Sequence, residues 1–178
     1  MNPQAQWNEE NFYPDAVIRI RDLLKAAFQA DGTFKGFYDG DPDPVGKSVL
    51  PCISVTETDM AFDVGATQTD RNTHTLLIKI MFNKKDDFGA ALSDPQVDLT
   101  SRKMRWIVLG RDPTTNNYLP NSVMGVLRPN FTMGNYAIGN SGKVTWGVNE
   151  REEVDGVATA EAHIMITVEE LMVIPTRT

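Results

Sequence analysis

The sequence predicts an α+β fold: a mixed, mainly antiparallel β-sheet with an N-terminal helix and a central helix packed on one face, plus long loop or β-arm insertions. Three features point there. Residues 15–28 carry apolar side chains at helical spacing, residues 73–82 and 157–168 alternate apolar with polar ones, and Gly, Pro and Asn punctuate the stretches between. At 178 residues the chain suits a single domain, since domains commonly run to roughly 100–200 residues. Its 41% hydrophobic and 23% charged content is that of a globular chain.

The elements follow in order. Residues 1–12 form no periodic pattern and are expected to be a flexible extension. Pro14-Asp15 then opens a helix in which Val17, Ile20, Leu24, Ala27 and Phe28 share one side, ended at Asp31-Gly32. Residues 33–47 are interrupted by Gly36, Gly40, Pro42, Pro44 and Gly46 and are expected to be a loop. A strand spans 50–56, with Pro51 near its start, where a missing N–H is tolerated. The second strand, 73–82, sets His74, Leu76, Ile78, Ile80 and Phe82 on one face. Between these strands, residues 57–72 are polar, Thr-rich and too long for a tight turn. They are either an extension of both strands into an arm or a mobile loop.

Asp94-Pro95 and Asp98 offer caps for a central helix that continues to Gly110. Residues 114–121 have turn chemistry, 123–127 read as a short strand, and the Gly- and Asn-rich stretch 128–143 reads as a second projecting loop holding Phe131, Met133, Tyr136 and Ile138. Two strands close the chain, 144–152 and 157–168, joined by a turn with Asp155-Gly156. In the last strand Ala158, Ala160, Ala162, Ile164, Ile166 and Val168 face one way, and its small residues predict close packing by a helix. Left uncovered, its outer edge would invite pairing with a neighbouring subunit.

Composition excludes several function classes. A net charge of -7 and a pI near 4.8 oppose a surface that grips nucleic acid, because phosphate contacts need clustered cations. The one concentrated basic group, Arg102, Lys103, Arg105 and Arg111, fits the wet side of a helix. Cys52 is alone, leaving no intramolecular disulfide, and reads as a packing residue. No leader-like start and no membrane-spanning apolar run is seen, so no membrane partner is expected.

Motifs with chemistry fail on spacing. Gly46-Lys47-Ser48 would need a glycine where Asp41 stands, and it leads into a strand rather than a helix N-terminus. Asp39-Gly40-Asp41-Pro42-Asp43 resembles the start of a calcium loop, but Pro44 and Leu50 occupy the positions of the required Gly and Glu. His74 and His163 meet only if their strands bring them together, and two histidines without a third ligand make a poor zinc site. Cys52 with a histidine lacks an orienting third group. Glu150, Glu152, Glu153 and Asp155 suit a solvated hairpin tip. No catalytic residue, cofactor or metal is therefore expected, and the chain reads as a non-enzyme working through protein contacts.

The order of elements is itself informative: an N-terminal helix, an acidic loop, the strand Pro51-Cys52-Ile53-Ser54-Val55, a long polar arm, a second long strand, a helix, then strands. Over residues 13–174 this arrangement resembles the tail terminator, or tail completion, proteins of tailed bacteriophages. The resemblance implies a virion structural protein, made in the host cytoplasm, that assembles as a homo-oligomeric ring, commonly a hexamer, on the tail tube protein. There it would end tube growth and offer a face to the neck or head connector protein, with DNA only as passing cargo; another phage neck, head-completion or baseplate assembly protein is the first alternative, and an enzyme with an unrecognised site ranks behind it. The family brings no fixed catalytic residues. Interface residues are expected instead on the two projecting segments: Glu57, Thr58, Asp59, Thr67, Gln68, Asp70 and Arg71 on the first, Phe131, Met133 and Tyr136 on the second.

Overall fold

A computed structural model describes residues 15–42, 46–64, 69–83, 99–130, 132–133, 136–149 and 159–173. The fold is α+β, with helices α1 (Ala16–Phe28), α2 (Leu99–Leu109) and α3 (Val123–Leu127). The strands are β1 (Gly36–Asp39), β2 (Cys52–Val64), β3 (Thr69–Asn83), β4 (Thr132–Met133), β5 (Tyr136–Asn149) and β6 (Thr159–Val173). They form one sheet in the order β1-β2-β3-β6-β5-β4. Only β1 and β2 run parallel; the other neighbours are antiparallel.

Helix α1 starts where the sequence places it, because Asp15 Oδ1 accepts the Ile18 N–H at 3.0 Å. Such a cap contributes about 1 kcal/mol. Its buried stripe is Ala16, Ile20, Leu24 and Phe28, one repeat every four residues, so Val17 is only half-buried and Ala27 is exposed. That stripe meets the alternating core face of the sheet: Ile53 and Val55 from β2, Leu76, Ile78, Ile80 and Phe82 from β3, and Ala160, Ala162, Ile164, Ile166 and Val168 from β6. The alanines of β6 admit a close neighbour as expected, and α2 is the helix that packs against that strand. Ala158 lies outside the described residues, as do the extension 1–12 and the turn 150–158. On the opposite face Cys52 packs with Leu50 and Met81, the structural use read for it.

Three expectations are corrected. The segment 33–47 contains a strand, since β1 pairs with residues 52–55 of β2 while Phe34 packs edge-on against Phe28 at 5.5 Å between ring centroids. Four residues are too few to show a period. Residues 123–127 are helical, not a strand. A run this short and apolar fits either geometry, and the local hydrogen bonds decide: Ser122 Oγ accepts the Gly125 N–H at 3.1 Å, capping α3. Residues 136–143 are not a loop but the start of β5, in which Tyr136 and Ile138 alternate into the core. The glycines there mark a register irregularity between Ile138 and Gly142. A Cβ at Gly139 would press on Thr167, and one at Gly142 would come within 2.7 Å of the Met165 carbonyl oxygen, so glycine serves close backbone approach.

At Gly125 a Cβ would collide with the Leu119 carbonyl oxygen, and backbone cannot give way as a side chain does. Gly125→Ala is therefore expected to lower stability by at least about 2 kcal/mol in urea unfolding, where an ordinary exposed-helix Gly→Ala change would be neutral or favourable.

Candidate interaction surface

Strand β2 changes parity halfway along. Ile53↔Ile80, Val55↔Ile78 and Glu57↔Leu76 put odd-numbered residues on the core side, but the register shifts between Glu57 and Asp59, and then Met60↔His74, Phe62↔Asn72 and Val64↔Asp70 put even-numbered residues there. The bulge thus turns three apolar side chains toward the helix-bearing face beyond the reach of the helices. Met60 is 49%, Phe62 72% and Val64 69% exposed, and Met172, in register with Asp70, is 46% exposed. Without the extra residue, Asp59, Ala61 and Asp63 would face that side.

The segment expected as an arm or loop is accordingly a three-stranded ribbon of β2, β3 and the end of β6. Its base is tied by a polar cluster. His74 is buried, its Nδ1 lies 2.6 Å from Glu57 Oε1, and its Nε2 lies 3.3 Å from Glu170 Oε2. Asn72 Nδ2 also donates to Glu170 Oε2, at 3.4 Å, and the Arg19 guanidinium stands 4.8 Å above the Tyr136 ring. A neutral imidazole donates to one of its two carboxylates; the imidazolium donates to both. Because the glutamates sit on opposite ring nitrogens, they cannot converge with His74 on one ion. No group of three His, Cys, Asp or Glu suited to a metal is found among the described residues. The carboxylates that suggested a calcium loop are used as ion pairs, Asp39 with Arg21 at 3.1 Å and Asp41 with Lys79 at 2.5 Å; Asp43 lies outside the described residues.

His74 and His163 do not meet. They lie at different register positions, opposite Val168 and Lys79 respectively, on opposite faces of the sheet. His163 instead contacts Glu161, Nε2 to Oε2 at 2.8 Å, and that carboxylate is 1% exposed. Strand β3 stands between Cys52 and His163, which separates their backbones by about 10 Å and precludes a direct nucleophile–base contact.

The expected interface residues separate. Glu57 joins the His74 cluster; Thr58 Oγ1 donates to the Thr75 carbonyl at 3.0 Å beside the bulge; Asp59 and Arg71 are exposed; Asp70 is half-buried. Thr67, Gln68 and Phe131 lie outside the described residues, and Met133 is on β4. Tyr136 is corrected from an open loop to the core, where it is 2% exposed. Strand β6 is also corrected: over residues 159–168 it lies between β3 and β5 and offers a neighbour no open edge.

The open edges are elsewhere. Strand β1 covers β2 only as far as Val55, and β4 covers β5 only at Tyr136 and Ala137, so residues 57–64 and 138–149 have no outer partner strand among the described residues. Beside the second edge is a cleft of about 170 Å³ between β5, β6, α3 and the end of α2, walled by Leu109, Met124, Leu127 and Val144 and edged by Arg128 and Lys143. The ribbon is the arm alternative offered for 57–72, but its apolar stripe carries no local sequence mark, because neither the bulge nor the absence of a helical cover leaves one. No family model matches the chain, and no curated protein matches it.

Glu170 titrates below the ordinary 4.5: burial pushes its carboxyl up, but hydrogen bonds from Tyr136, His74 and Asn72 and the His74 charge outweigh it. A depressed carboxylate stabilises the fold above its unfolded value and loses that contribution as pH falls through the lower folded value. Glu170→Gln should therefore flatten the fall of stability below pH 4.5 in chemical unfolding, while an unchanged acid slope would refute the role given to this carboxylate.

Proposed function

We propose that this chain is a virion structural protein that closes into a ring at the end of a bacteriophage tail tube, ending its growth and presenting a face to the neck. The observation carrying this reading is the pair of unlike open edges. One, residues 57–64, lies on the acidic arm; the other, residues 138–149, lies across β3 and β6 on the far side of the sheet. A molecule whose two contact surfaces differ associates head to tail, and head-to-tail contacts close into a ring where the rotation between copies divides a full turn. The element order that resembles tail terminators agrees with it, and a net charge of -7 suits a channel wall from which DNA must slide free.

Two experiments test it. Added to purified tail tubes, the protein should appear in electron micrographs as a ring on one end of each tube; tubes left bare, with connectors decorated instead, would move the protein to the neck. Replacing residues 60–72 by a short turn should leave the helical circular dichroism intact and abolish tube binding. Retained capping by that variant would exclude the arm as a contact.

A further inference from the structure

We infer that the arm of one copy docks along β5 of the next, with Phe62 entering the cleft beside that strand; the partner is a second copy of this chain, and the inference rests on the ring reading for that choice. Three independent matches support it. The cleft holds about 170 Å³, and an apolar cavity on the order of 150 Å³ accepts a benzene ring. Phe62, 72% exposed, is the largest apolar side chain offered by the arm.

Charge agrees. The described arm residues carry Glu57, Asp59, Asp63, Asp70, Glu169 and Glu170 against the single arginine Arg71. The cleft is lined by Arg128 and Lys143, with no carboxylate among the described residues. One oxygen of Asp70, which shares its face with Phe62 and Val64, is shielded from solvent and has no hydrogen-bond partner among the described residues. Lys143, next to Val144 on β5, projects from the opposite face of the sheet, the side on which the arm carries Asp59 and Asp63.

The backbone agrees as well. An arm strand laid antiparallel against β5 continues the sheet with the helix-bearing sides together, so Phe62 falls on the side of the neighbour where the cleft opens beside Gly142 and Val144. Main-chain pairing supplies affinity in such strand addition, and the pocketed side chain supplies register. The bulge between Glu57 and Asp59 is what gives Phe62 that orientation.

Sedimentation velocity over a concentration series tests the inference with two variants, Phe62→Asp, which spoils the arm, and Val144→Glu, which spoils the cleft. Wild type should associate, and each variant alone should be weakened at least about 30-fold, the loss expected for removal of a central hot-spot side chain. An equimolar mixture should give a dimer and nothing larger, because one good arm remains for one good cleft. If circular dichroism shows Val144→Glu to be unfolded, the exposed Lys143→Glu takes its place. A wild type that stays monomeric, variants that associate like wild type, or a folded mixture that remains monomeric would each overturn the docking. A chain that associates in this way yet ignores tail tubes would sink the tail reading and leave this contact standing.

Discussion

The pairing of β3 with β6 is the constraint from which the rest of the molecule follows. Each strand is fifteen residues long, and they are in register from Thr69↔Val173 to Asn83↔Thr159. Half of that ladder lies under the helices, where Ile78 faces Ile164 and Ile80 faces Ala162, both pairs buried. Burying one such aliphatic side chain contributes about 1.5–3 kcal/mol. The other half runs on past the helices and becomes the arm. Core and arm are thus one continuous ladder, and the arm's direction is set by the same hydrogen bonds that hold the core. A ribbon anchored this way can present side chains at fixed positions without a helical layer of its own.

The sequence made the covered half legible and left the open half obscure, for a physical reason. In β6 and β3 the alternation of Ile164, Ile166 and Val168, and of Leu76, Ile78 and Ile80, follows from burial on one face, so it is written in the residues. Beyond the helices that pressure lapses. His74 is buried with Glu57 and Glu170 reaching it from two other strands, partners 17 and 96 residues distant. The glycines of 139–142 were misread for a related reason: they answer to Thr167 and Met165 on the next strand, and close backbone approach looks in sequence like flexibility. The stretch 123–127 misled because Val123, Met124, Val126 and Leu127 are all buried, so no period separates helix from strand, and Ser122 alone carried the answer.

The bulge in β2 links structure to assembly. A single extra residue exchanges Asp59 and Asp63 for Met60, Phe62 and Val64 on the helix-bearing side, and bulges at sheet edges commonly serve to re-aim side chains in this way. An apolar, uncovered edge strand would ordinarily be an aggregation hazard. Here the acidic residues on the same ribbon favour a partner surface that is both apolar and cationic, and in the proposed docking the β5 cleft with Arg128 and Lys143 is that surface. Attraction and selectivity then come from the same short segment.

Hydrogen exchange of the backbone amides tests the central claim, that unlike edges of the sheet join across copies, most directly. Between dilute and assembled protein, amides in residues 57–64 and 138–149 should become protected together, with those of β1 unchanged. Assembly without added protection in either edge would contradict the account.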